Sequence, residues 1–338
     1  MITKSVARIV VLQLCFALLA LHQSVQAADK NWTVGRTIDG QANLQGVWEN
    51  NSITPVERPE IFGERATLSD EEMVFLNRRI GEIIADGGDA LFGEGVLQAA
   101  FSGEVKSYDP STGNYDQQWM VDRKVHNRTS QIIDPSNGRF PAKTEQALAH
   151  EADLRAYAAE HPADSWTDRS LSERCVHRDV PNLGSGYNSY WQIVQAADHV
   201  SIIQEMFHDV RMIPLIEKPP LDEKIKLWNG SSRGYWDGDT LVIDTKNFNE
   251  KNDPGLNTEA RIYQERLTRI NESQLQYDIV VHDPGTYTVD YTRRIIFDNS
   301  EDQIYEYACH EGNYGMMNIL SGHRAEERMA LGARQNSN

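Results

Sequence analysis

Cysteine is scarce in this chain of 338 residues, with three in all at positions 15, 175 and 309 and no Cys-x-x-Cys. That spacing excludes zinc-ribbon and thioredoxin-type sites. Basic side chains are also few, 33 Lys plus Arg against 50 Asp plus Glu for a formal charge of −17. A surface of that sign repels phosphate backbones and anionic headgroups, so nucleic acid is excluded as a partner. Long apolar runs are confined to Ile9–Ala20, whose length of about twelve falls short of the roughly twenty residues that a membrane span requires. No His-x-x-x-His pair, phosphate loop or dinucleotide fingerprint is found. The sequence therefore predicts no metal and no cofactor, and it gives no support to hydride, phosphoryl or elbow-serine acyl transfer.

What the first 27 residues do contain is ordered. Lys4 and Arg8 precede the apolar run, and Val25-Gln26-Ala27 follows it, the charged, apolar and small-residue order that a signal peptidase reads. Cleavage is expected after Ala27. Leu12-Gln13-Leu14 stands before Cys15, so acylation is not expected and the mature chain carries no membrane anchor. The expected location is periplasmic or secreted. Two of the 33 basic residues and none of the 50 acids lie in the leader, so the charge of −17 becomes −19 on its removal. Cys175 and Cys309 then remain, and a lone pair in an oxidising compartment is expected to form a disulfide. The alternative is that Cys309, beside His310 and Glu311, is an activated thiolate.

The pattern changes near residue 185. Before it, Ser69 caps a helix running to about Ile84, Thr144 caps another reaching Glu160, Gly93–Gly113 reads as a surface loop and Arg128–Asp134 as a strand. After it, period-two alternation with regular turns predicts strands over Tyr190–Gln195, Val200–Phe207, Asp209–Ile213, Ser232–Trp236, Thr240–Asn247, Glu259–Arg269, Gln274–His282, Thr286–Asp298 and Ile304–His310. Asp237-Gly238-Asp239 is a hairpin turn, and Gly315–Ala330 a closing helix. Closing such a meander removes its edges. The expected fold is mainly β, an antiparallel meander closing into a lipocalin-like barrel, with helical insertions in the N-terminal half and a C-terminal helix. The expected organisation is a single domain over 28–338 with a helical and loop insertion at about 51–185.

Three blocks carry a resemblance: Ser185-Gly186-Tyr187-Asn188-Ser189-Tyr190-Trp191-Gln192-Ile193-Val194-Gln195, the stretch from Ser232 to Phe248 and the stretch from Tyr305 to Met316. Together they resemble an uncharacterised family of exported bacterial proteins, which implies export and a β-rich fold and no activity. Gly46-Val47-Trp48 is similar to the Gly-x-Trp opening strand of lipocalin-like barrels. Trp48 is then either the plug of a barrel floor or an ordinary core tryptophan.

On the last predicted strand, Glu306 and His310 share one face and would place a carboxylate and an imidazole in a lumen; the alternative has the aromatic face inward and His310 solvated. Glu205, His208 and Asp209 form a second His/carboxylate group at a strand end, with Arg211 placed to hold an anionic group; the alternative is an ion-paired turn. Arg233 is placed to bind substrate, the alternative being a cross-strand pair with Asp244 and nothing more, and Tyr187, Tyr190 and Trp236 supply aromatic contact area for a small-molecule ligand. The leading functional expectation is a cofactor-independent lyase, isomerase or hydrolase using His310, Glu306, His208, Glu205 and Asp209 for proton transfer on a small organic molecule. The alternatives are a periplasmic binding or carrier protein and a carbohydrate-active secreted protein.

Overall fold

The computed structural model describes residues 32–86, 94–102, 122–176, 181–215, 219–249 and 260–335. The chain separates into Met1–Thr33 and Val34–Asn338. The first unit, and with it the expected leader, lies almost wholly outside the described residues, and the architecture is that of the second.

Ten strands form one antiparallel sheet: β1 (Gly46–Glu49), β2 (Ile132–Asp134), β3 (Tyr190–Gln195), β4 (His199–Gln204), β5 (Val210–Pro214), β6 (Ser231–Asp237), β7 (Thr240–Lys246), β8 (Ile262–Arg269), β9 (Gln274–His282) and β10 (Tyr291–Ser300). Their order is β5-β4-β3-β1-β10-β9-β8-β7-β6, and β2 pairs with β10 beside that path. Alternation dictates the faces. Along β9, Leu275, Tyr277, Ile279 and Val281 are buried while Gln274, Gln276, Asp278 and Val280 are less so, as a strand with one apolar face requires. Asp237 pairs with Thr240, and Gly238 between them holds φ at +60°, which glycine adopts at little cost.

The inward faces of eight strands meet in one cluster that includes Trp48, Trp191, Ile193, Val200, Ile202, Ile213, Leu241, Ile243, Leu267, Tyr277, Ile295 and Phe297, all at most 2% exposed. Trp48 is a core residue of that cluster. Its indole N–H donates to the Leu44 carbonyl at 2.8 Å, and the Arg269 guanidinium stands 5.3 Å from its ring centre.

Ladder pairing stops at β5 on one side and β6 on the other, so the sheet is not a closed ladder. The two end strands nonetheless touch: Arg211 Nη2 on β5 donates to Ser232 Oγ on β6 at 3.1 Å. A Cβ on Gly234 of β6 would come within 2.9 Å of the Ile213 side chain.

Among the described residues four α-helices accompany the sheet: α1 (Asp70–Asp86), α2 (Glu94–Ser102), α3 (Glu145–Glu160) and α4 (Gly315–Gln335). Ser69 and Glu72 close a reciprocal capping box on α1, with N–H to side-chain oxygen distances of 2.8 and 3.2 Å. Thr144 Oγ1 caps α3 by accepting from Ala147 N at 3.1 Å. Helices α1 and α2 pack through Leu76, Ile80, Val96, Leu97 and Ala100, with Ile53 and Phe62, into a second core.

Five expectations need correction. The strand expected over Val200–Phe207 stops at Gln204, before the 3-10 turn Met206–His208, and the one expected over Thr286–Asp298 starts at Tyr291, after a turn at Thr286. Part of the predicted loop at Gly93–Gly113 is helix α2, because Val96, Leu97, Ala99 and Ala100 give it a buried face despite the flanking glycines; positions 103–113 lie outside the described residues. Only Ile132–Asp134 of the predicted strand over Arg128–Asp134 pairs with the sheet. Ile304–His310 is not a strand. The edge of β10 that it would need is already taken by β2 at Thr292 and Arg293 and by β1 at Asp298, Asn299 and Ser300.

Candidate functional site

Side-chain alternation carries two charges into the interior. On β5, Val210 and Met212 face outward while Arg211 and Ile213 are buried, and on β8 Glu265 is buried between Gln264 and Arg266. The two meet as a bidentate pair, Arg211 Nη1 to Glu265 Oε2 at 2.8 Å and Nη2 to Oε1 at 2.5 Å. Tyr277 OH donates to Glu265 Oε2 at 2.9 Å, and Thr245 Oγ1 lies 3.1 Å from Arg211 Nη2. Burial alone would lower the Arg211 pKa, but the Glu265 charge and hydrogen bonds raise it. Burial also raises the Tyr277 hydroxyl, with the Glu265 charge adding to it. Arg211 does hold an anion, and the anion is the protein's own carboxylate.

The other residues singled out by sequence are scattered. Glu306 and His310 are exposed, in the irregular segment after β10. His208 is exposed at the end of a short 3-10 turn, Met206–His208, while Glu205 is buried and Asp209 is half-buried, accepting from Asn229 Nδ2 at 3.3 Å. Glu205 Oε1 accepts the Tyr305 backbone N–H at 3.1 Å. Arg233 lies opposite Asp244 in register and donates to the Pro219 carbonyl. Trp236 packs on the main core. Tyr187 packs with Cys175, Met206, Phe207, Tyr307 and Cys309, where Cys175 and Cys309 form the expected disulfide. Gly230-Ser231-Ser232-Arg233-Gly234 fits the Gly-x-Ser-x-Gly spacing. It runs along β6 instead of turning from strand into helix, and Ser232 Oγ bonds Arg211 and Thr245 with no imidazole beside it among the described residues.

Among the His/carboxylate pairs of the described residues, the most buried assembles from residues not singled out by sequence. Glu49 of β1 lies opposite Tyr190 of β3 on one side and Asp298 of β10 on the other, so all three side chains share the sheet face away from Trp48. Two carboxylates side by side repel. Lys124 bridges them, with Nζ 3.3 Å from Glu49 Oε1 and 3.9 Å from Asp298 Oδ2. The segment that carries Lys124 is fixed by a parallel bridge to Ser52 and also delivers His126, whose Nε2 stands 3.2 Å from Asp298 Oδ2. Gln274 Nε2 donates to the other Asp298 oxygen at 3.1 Å. His126 Nδ1 is buried with no hydrogen-bond partner among the described residues. His126 also lines a small cavity with Ile53, Phe62, Leu68 and Leu97.

The environment separates the two acids. Burial pushes Glu49 up, against the pull of Lys124 and Tyr190, and it ends above its ordinary value. Burial pushes Asp298 up too, but the hydrogen bond and charge of His126, then Gln274 and Lys124, outweigh it and hold Asp298 below. Tyr190 is raised by burial and by Glu49.

Glu205 is raised as well, by burial that exceeds the opposing bonds from Tyr305 and Asn188. A carboxyl raised in the folded state binds its proton there first, so its contribution favours folding at low pH and is lost as pH rises through the folded value. Glu205→Gln keeps an acceptor for Tyr305 and removes the charge. The variant should gain stability relative to wild type as pH rises through the mildly acid range, read as the difference in urea midpoints at several pH values.

No family model, curated protein or solved structure matches this chain.

Proposed function

We propose that the protein is a cofactor-independent enzyme of the lyase, isomerase or hydrolase type, acting on a small organic molecule by proton transfer at His126, Glu49 and Asp298. One observation carries the reading: an imidazole whose Nε2 is held by a buried carboxylate while its Nδ1 is buried, without a partner among the described residues, beside a cavity of about 10 Å³ that a substrate must widen to enter. Asp298 orients the ring through Nε2, and Nδ1 takes the substrate proton. Glu49, held above its ordinary value next to an acid held below, is the proton donor, because neighbouring carboxyls pushed apart in this way divide acid and base roles. It stands with Lys124 and Asp298 outside the small cavity, whose wall it does not form, so a bound substrate must reach past the ring to it. Tyr190 and Lys124 hold Glu49 in place. The His/carboxylate pairs first expected at His310, Glu306, His208, Glu205 and Asp209 give way to this one, since His310, Glu306 and His208 are exposed.

Export belongs to the same reading, supported by the charged, apolar and small-residue order of the first 27 residues and by the Cys175 to Cys309 disulfide. So does closure of the sheet into a barrel through the β5 and β6 side chains, supported by the Arg211 to Ser232 bond and the packing of Gly234 on Ile213. Intact mass of protein purified from its source should correspond to a chain starting at Ala28.

The catalytic reading is tested by incubating wild type, His126→Gln and Glu49→Gln with small-molecule extracts and following every compound by mass spectrometry. A compound consumed by wild type and spared about 10²-fold or more by His126→Gln is the expected result. Its consumption should fall as pH rises through the raised Glu49 value, and Glu49→Gln should abolish that limb. Consumption that survives His126→Gln, or no compound changed by wild type, overturns the reading. A binding role without turnover rests on a different feature, an open cleft of about 450 Å³ lined by Tyr307, Cys309, Met316 and Ile319. Native mass spectrometry that finds a bound molecule, lost on Ile319→Asp, would support it.

A further inference from the structure

Helix α4 carries a cluster that neither the core nor the proposed active site uses. His323 and Glu327 are four residues apart and so lie on one face of the helix. Facing them is Asp164, in the turn after α3. His323 Nε2 stands 3.3 Å from Asp164 Oδ1 and 3.6 Å from Glu327 Oε1, and one ligand atom from each of the three lies within 4.8 Å of the others. Zinc bonds to nitrogen and carboxylate oxygen are about 2.0 to 2.2 Å long, which at tetrahedral angles places ligand atoms about 3.3 to 3.6 Å apart. The two edges at His323 Nε2 have that length.

The remaining oxygens of both carboxylates are already engaged. Asp164 Oδ2 is 2.7 Å from His161 Nδ1, and Glu327 Oε2 is 3.2 Å from Arg324 Nη1. The atoms left to face one another are Asp164 Oδ1, Glu327 Oε1 and His323 Nε2. Outer partners of this kind fix the orientation of metal-bound carboxylates. Arg324 Nη2, 3.9 Å from Asp164 Oδ1, and Glu326, 3.8 Å from His323 Nδ1, complete the surroundings. His323 is 17% exposed and the two carboxylates 43% each, so an ion here reaches solvent through its fourth position.

We propose that Asp164, His323 and Glu327 bind a first-row divalent cation of the zinc class, with His161 as a positioning residue. One imidazole among the ligands favours zinc over magnesium or calcium, which prefer oxygen alone. The ligands couple α4 to the turn that follows α3. This inference stands apart from the catalytic reading at His126.

The experiment uses the full-length mature protein stripped with chelator and titrated with zinc chloride by calorimetry, with magnesium and calcium chloride in parallel. Wild type should bind one zinc that the other two ions do not displace. His323→Ala and Glu327→Gln should each remove that event, and His161→Ala should weaken it about 10-fold or more. His126→Gln should leave it unchanged. Cobalt loading provides a second readout: visible absorption bands of a low-symmetry site in wild type, absent in His323→Ala. Because these positions lie outside both hydrophobic cores, each variant is first checked for a wild-type melting profile without metal. No saturable zinc binding, or zinc binding unaltered in both His323→Ala and Glu327→Gln, overturns the proposal.

Discussion

Replacing Arg211 with Ala is expected to cost about 3 to 5 kcal/mol of folding stability, because it leaves an ionised carboxylate in the interior with its principal partner gone. Glu265 is fully buried, and Arg211 supplies two of its hydrogen bonds. Tyr277 OH and Thr245 Oγ1 remain, at 2.9 and 3.3 Å, and both are neutral. Glu265→Ala should cost a comparable amount by stranding the guanidinium, whose Nε already has no partner among the described residues. The pair itself is a different matter. Desolvating two ions cancels most of their attraction, so Arg211→Met combined with Glu265→Leu should recover most of what either single change loses. Urea unfolding of wild type, Arg211→Met, Glu265→Leu and the double variant closes the cycle. A double variant as unstable as both singles added together would mean that the network does more than neutralise its own charges.

Loss of the disulfide is the second large effect. Cys175 and Cys309 are 134 positions apart, and closing a loop of that length constrains the unfolded chain by on the order of 4 to 5 kcal/mol, with 2 to 5 measured when native bridges are removed. Cys175→Ser with Cys309→Ser should lower stability within that range. Its local consequence follows from the absence of ladder pairing over residues 303–310. That segment is held by the bridge, by the Tyr305 N–H to Glu205 and by Tyr307 packing on Phe207 at 5.2 Å. Hydrogen exchange and proteolysis should therefore rise first between residues 303 and 313. Uniform exchange across the sheet, with no local excess, would show that the bridge acts only on the unfolded chain.

Much of the sheet is legible in the sequence, and the reason is local. Tyr190–Gln195 and Gln274–His282 form strands with the predicted ends, because alternation and turn residues are decided within a few positions. The helices capped by Ser69 and Thr144 are legible for the same reason. Ile304–His310 alternates equally well, yet whether a strand forms depends on a free neighbouring edge, and no local pattern reports one. The disulfide is legible by elimination. Arg211 reads as the holder of an external anion and Glu265 is not singled out at all, since period two alone does not say which face is inside.

The His126 group is illegible for a different reason. His126 and Asp298 are 172 positions apart, and their meeting depends on β1 lying between β3 and β10. The register that pairs Glu49 with both Tyr190 and Asp298 is the signal, and it exists only once strand order is known. At Asp164, His323 and Glu327 half of the signal is local: a histidine and a glutamate four apart on a predicted helix, which a search for paired histidines overlooks. The other half comes from the turn after α3.

The placement of β1 also sets the order in which the molecule can be completed. Both of its neighbours are made later, and one comes from near the end of the chain; Asn299 Nδ2 reaches the Val47 carbonyl across 252 positions. A nascent chain that stops short of residue 290 leaves the first strand with no mate on that side, and Trp48 without the Phe297 flank of its core. Completion of the sheet thus waits for β10, and long-range closure of this kind is slow.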